Sequence, residues 1–162
     1  MTNASTISSL RDARAQYPHL PEPTTVPLGD YRAELLGPAW FRRFALIGLA
    51  IGGLPRWHGK RFRADGSGVN LLRPKPAAAN AALVEHLQMQ LQLAPSPHDG
   101  RTVVRVGYDA SARFPWPAVV DELRLLQSGD GCDVWLGMAR SDWRWTRGIA
   151  GLRLPFLLIR ES

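Results

Sequence analysis

The chain has 162 residues, 45% of them hydrophobic, and 20 Lys or Arg against 14 Asp or Glu leave a formal charge of +6. That length suits one domain whose core needs no covalent staples. A single cysteine, Cys132, excludes an intrachain disulfide framework and a cysteine-based metal site, fits a reducing compartment, and is expected as a small buried or half-buried hydrophobe.

Residues 1–17 open with Asn and Ser positions able to cap, followed by Ile7, Leu10 and Ala13 at near-helical spacing, which predicts a short, weakly held helix. The same stretch lacks the apolar centre of a secretory signal, so the cytoplasm is the expected location. Pro18, Pro21, Pro23 and Pro27 end the helix and predict an extended surface linker, setting residues 1–27 apart from a single β-barrel domain over 28–162. Tyr31–Leu36 reads as the first strand, stopped by Gly37-Pro38.

From 38 to 53, Trp40, Phe41, Phe44, Ile47 and Ile51 recur every three or four residues and predict a helix with that face inward. Gly48, Gly52 and Gly53 weaken it, each by roughly 0.5–1 kcal/mol relative to alanine, so the helix is expected to be a mobile lid. The apolar run Phe44–Leu54 is about half of the ~20 residues a spanning helix needs, so no transmembrane segment is expected. With two arginines beside it the run could lie on a membrane surface, but a buried helix or lid is the preferred reading.

Leu54–Arg63, LPRWHGKRFR, is the stretch around which the rest is organised. Pro55 and Gly59 permit a sharp entry into a strand, with Trp57 as a plug. If the segment is extended, Lys60 and Phe62 point inward while Arg61 and Arg63 form either an anion-facing rim or an ordinary solvated edge. Asp65-Gly66 marks a hairpin turn between strands at 58–64 and 69–74. After the linker-like PKPAAANAA, Leu87, Met89, Leu91 and Leu93 alternate with His86, Gln88, Gln90 and Gln92. That is the period of a strand, whose amide-rich face turns either to solvent or into a polar cavity.

Arg101–Asp109 returns as a strand with Thr102, Val104, Val106 and Tyr108 on one side. Trp116 follows between Pro115 and Pro117, then Val119–Leu126 and CDVWLGMA form a second hairpin across Gly129-Asp130-Gly131. Trp143 and Trp145 with Gly148 and Gly151 read as a loop, and LRLPFLLI as a last strand whose proline suggests an edge or barrel seam. Eight short strands with little helix predict a mostly β fold, a single antiparallel up-and-down barrel with room for one small ligand.

PRWHGKRF with GVNLLRP resembles the signature of the small bacterial GXWXG proteins, and VGYDASARFPWPAVVDELRLL with DVWLGMA resembles the domain of unknown function that accompanies it. The resemblance spans roughly residues 53–139, with Pro55 standing where the motif has its first glycine. It implies a relative of lipocalin-like, calycin-type barrels and no established reaction.

Residues 40–75 hold eight Lys or Arg and one acid, Asp65, a basic half that attracts anions. Trp57 and Phe62 among those cations resemble a stacking platform, but no nucleic-acid motif occurs and that partner is disfavoured. His19, His58, His86 and His98 are too dispersed for zinc, and no phosphate loop or serine elbow occurs, so neither metal nor cofactor is expected. Asp121 alternates with Val119, Leu123 and Leu125; facing inward among them its pKa should rise, unless it pairs with Arg124 or an arginine on the next strand. Candidate acid/base groups are therefore Asp121, Tyr108 and His86, and candidate ligand contacts are Trp57, Lys60, Phe62, Met89, Trp116, Arg124, Trp135 and Met138. The expected function is binding of a small hydrophobic or aromatic molecule, an anionic one included. The alternatives are a cofactor-free isomerase, cyclase or lyase in the same pocket, and an interaction module built on Trp143-Arg144-Trp145; a homodimer is compatible with each.

Overall fold

A computed structural model of the chain describes residues 7, 9–75, 81–129, 132–141 and 153–161. Eight antiparallel strands close into a barrel in simple sequential order. They are β1 (Gly29–Leu35), β2 (Trp57–Phe62), β3 (Ser67–Leu72), β4 (Val84–Pro95), β5 (Thr102–Tyr108), β6 (Val119–Gln127), β7 (Val134–Ser141) and β8 (Leu154–Arg160). The first and last strands pair from Tyr31↔Arg160 to Leu35↔Phe156, so Pro155 does sit in the seam strand. Closure removes the unpaired edges an open sheet would carry. The loop with Trp143, Arg144 and Trp145, and Asp130-Gly131 of the second hairpin turn, lie outside the described residues.

Two glycines let the barrel close. A Cβ on Gly59 would stand 1.9 Å from the carbonyl oxygen of Tyr31, so β1 and β2 can approach only where there is no side chain. A Cβ on Gly137 would meet the Phe156 ring at 2.3 Å, so its absence makes the space this ring fills. The register of β2 against β3 shifts between Trp57 and Gly59, which brings Trp57, Lys60 and Phe62 to the same inner face despite their spacing.

Tyr31, Phe62, Met89, Leu91, Val104, Val106, Leu123, Trp135, Phe156 and Leu158 fill most of the interior. A second apolar cluster lies outside the barrel, where Ile7, Ala13, Tyr17 and Leu20 cover Val103, Leu126, Val134, Leu136, Met138 and Leu157. The N-terminal segment is thus a packed strap, with α1 (Leu10–Gln16) capped by Ser9 and followed by one 3₁₀ turn, rather than a surface linker. Arg101 donates to the carbonyls of Pro18 and Leu20, and Glu22 accepts from the Thr102 amide. Cys132 is exposed, not buried.

The helix predicted over 38–53 forms as α2 (Ala39–Ile51). Its orientation departs from expectation at four of the five positions: Trp40, Phe44, Ile47 and Ile51 face out, whereas Phe41, as expected, faces the barrel mouth together with Ala45 and Leu49. Among the described residues no helix is long and apolar enough to cross a membrane.

Candidate functional site

Between α2 and the barrel mouth lies a cavity of about 330 Å³, roughly the liquid volume of ten water molecules at ~30 Å³ each. Its walls are Leu35, Leu54, Trp57, Trp116 and Phe156 with Phe41 and Leu49 of α2 above. Trp116 is held by a cis Phe114-Pro115 peptide and a 3₁₀ turn, and its indole donates to the carbonyl of Gly52 at 2.6 Å, tying this wall to the end of the lid. Trp57 meets Phe156 edge-on at 6.2 Å, and Tyr108 leans on Trp116 at 5.2 Å.

A polar cluster forms the floor. Lys60 reaches in from β2, and its ammonium lies 3.0 Å from the Asp121 carboxylate of β6 and 2.8 Å from the Tyr108 hydroxyl of β5. It also lies 3.4 Å from Asn70 Oδ1, which accepts the Trp57 indole N–H at 2.9 Å. Both charges are buried, so their mutual attraction is felt at low dielectric, and each offsets the other's desolvation. Burial pulls the Lys60 pKa down, but Asp121 and Tyr108 outweigh it and hold the ammonium above its ordinary value. Burial pushes the Tyr108 phenol up, with Lys60 opposing. Lys60 therefore keeps its proton and is no nucleophile, while Tyr108 stays a neutral donor.

Asp121 thus faces inward as alternation predicts, but its partner is Lys60 from across the barrel rather than Arg124. The cavity brings together Trp57, Lys60, Tyr108, Trp116 and Asp121. Phe62 and Met89 pack in the interior beyond the floor, Met89 with its sulfur 3.9 Å from Lys60. Trp135 lies at the other end of the barrel, lining a separate recess with Tyr31, Asp133 and Arg160.

Three candidates fall elsewhere. Arg124 projects outward under the strap, stacked on Tyr17 at 4.7 Å and bonded to Asp99 at 2.9 Å and to the Tyr17 carbonyl. Met138 belongs to the same outer cluster. His86 is exposed, because the amide-rich face of β4 looks to solvent. Nor do Arg61 and Arg63 form a free anionic-ligand rim: Arg61 binds Asp30 and Glu85, and Arg63 binds Glu85. Sequence reasoning missed Asn70, which shares the inner face with Gly68 on β3, and the α2 residues Ala45 and Leu49.

No family model matches the chain, and no curated protein matches it. Among solved structures it is similar to a protein from Thermomonospora curvata, with a TM-score of 0.65 and 19% identity over 95% of this chain and 88% of that one. A likeness at that identity shows the barrel fold alone.

Proposed function

We propose that the chain binds one small, largely apolar molecule in the cavity beneath α2, with aromatic groups against Trp57, Trp116 and Phe156. The observation that carries this reading is the pairing of an apolar chamber with one compact polar floor, the arrangement by which small-ligand sites fix orientation. The polar end of the ligand is a neutral hydroxyl or carbonyl rather than an anion. Lys60 is already neutralised by Asp121, and Arg140, the other cation at the wall, is held by Glu122 at 2.8 Å. Tyr108 accepts from Lys60 and has an O–H to offer a ligand oxygen. The resemblance to small bacterial GXWXG proteins and the single cysteine support placing such a binding protein in a bacterial cytoplasm.

A second reading rests on that same phenol. A neutral tyrosine backed by an ammonium at 2.8 Å is a competent proton donor to a polarised carbonyl, as a cofactor-free isomerase, cyclase or lyase would need. Native mass spectrometry of the purified protein tests for a retained molecule. Titration with a neutral aminonaphthalene ketone dye and its sulfonated analogue tests the site directly. The neutral dye binds the tighter, and Trp57→Ala weakens it by more than ~1 kcal/mol. Unchanged affinity in both Trp57→Ala and Tyr108→Phe would place binding elsewhere.

A further inference from the structure

Five large apolar side chains on α2 are exposed, and four of them, Trp40, Phe44, Ile47 and Ile51, are the most exposed at 64%, 68%, 51% and 76%. At about 100° per residue these four fall within roughly 60° of arc, a single stripe on the side of the helix away from Phe41, Ala45 and Leu49. An outward stripe of this kind costs solvation in water unless something covers it.

Charge decides what covers it. Arg42 and Arg43 are exposed on the same helix, and residues 36–64 contain no acid at all. A second copy of the helix laid on the first would bring like charges together. An anionic surface complements them, and a bilayer also accepts a Trp–Phe–Ile stripe into its headgroup boundary. We infer that α2 docks the protein in the plane of an anionic membrane, with Trp40, Phe44, Ile47 and Ile51 inserted and Arg43, which flanks the stripe, at the lipid headgroups. The helix lies on the membrane and does not cross it, being only 13 residues long. The inner face of α2 stays on the cavity, so docking does not require the cavity to be filled or empty.

The test is co-sedimentation of the whole protein with vesicles of phosphatidylcholine, with and without phosphatidylglycerol. Binding is expected to the mixed vesicles only and to fall with added salt. Phe44→Ser/Ile47→Ser should abolish it, and Arg43→Gln should weaken it roughly five-fold. Circular dichroism and dye affinity in the same variants separate loss of docking from loss of fold or of the cavity. If the double serine variant fails to fold, Ile51→Ser at the most exposed position takes its place and should weaken binding alone. Absence of binding to mixed vesicles, or binding that survives these serine substitutions, would overturn the inference. So would a concentration-dependent dimer in sedimentation equilibrium that Phe44→Ser/Ile47→Ser dissolves.

Discussion

Replacing Asp121 by Asn removes one charge from the floor of the cavity with almost no change of shape. In the parent protein Lys60 and Asp121 are 3.0 Å apart and both buried. The amide would leave the ammonium without its counter-ion, and breaking a buried pair in this way costs about 3–5 kcal/mol. For a chain of this length a loss of 1 kcal/mol moves Tm by about 2–4 °C, so a drop of roughly 6–20 °C is expected at pH 7. The pH dependence has a definite sign. The parent's Lys60 is held above its ordinary value, so its contribution is full below about pH 10.4 and is lost as pH rises beyond it. Tyr108, also raised, loses stability over the same alkaline range, because its unfolded form ionises first. In the variant, burial acts on Lys60 with Tyr108 alone left to oppose it, so the penalty is greatest near neutrality and shrinks as the amine deprotonates. Calorimetric melts of both proteins from pH 6 to 11 should therefore converge toward high pH. A variant melting within 2 °C of the parent at pH 7, or a gap that is constant with pH, would refute the ion-pair account. Lys60→Met/Asp121→Leu should recover most of the loss, since an apolar pair of similar volume carries no desolvation penalty.

Gly59→Ala should cost about 3 kcal/mol or more in urea unfolding, because its Cβ would collide with a backbone oxygen that cannot rotate away. Tyr17→Phe should leave stability within about 1 kcal/mol or raise it, since the buried hydroxyl has no hydrogen-bond partner among the described residues; a larger loss would reveal one. Hydrogen exchange should be faster in α2, which buries no residue fully, than at Met89 and Leu91 of β4, and Gly48→Ala should slow it about two- to five-fold, as its Cβ meets nothing within 4 Å. Equal protection of α2 and β4 would remove the lid.

What can be read from residue order depends on how many faces each strand buries. β4 alternates because one face is wet, so its type and inner residues follow from period two. In β6, β7 and β8 the outer face is buried as well, giving nearly continuous buried runs that hide inside from outside. Runs of this kind put Arg124 and Met138 at the ligand when composition alone is weighed. Strict alternation already separates them from it: if Asp121, Leu123 and Leu125 face in, Arg124 faces out, and if Trp135 and Ala139 face in, Met138 faces out. The prolines mask the strap, although Tyr17 and Leu20 among them are large apolar groups that a free linker would not need. On α2, periodicity alone sends the stripe of Trp40, Phe44, Ile47 and Ile51 to the interior, whereas the helix turns Phe41, Ala45 and Leu49 to the cavity.

The centre of the site follows from a simpler constraint. Lys60 shares the inner face with Phe62, and an ammonium enclosed by aromatic groups must find an acceptor or lose its proton. Asp121 shares the inner face with Leu123, and a carboxylate enclosed by aliphatic groups must find a cation or a proton. Each condition can be stated from the sequence alone, but the pairing cannot: residue order favours Arg124 or an arginine on the next strand for Asp121, and the closed barrel supplies Lys60 instead. The barrel brings them to 3.0 Å because β2 and β6 lie on opposite sides of an eight-stranded circle, close enough for a lysine to span. The residues of the PRWHGKRF stretch are then accounted for physically. Trp57 walls the cavity and donates to Asn70, Gly59 admits the backbone of β1, and Lys60 closes the floor on Asp121. A loss of Trp57 or Tyr108 should consequently be felt in the ligand, and a loss of Gly59 in the barrel.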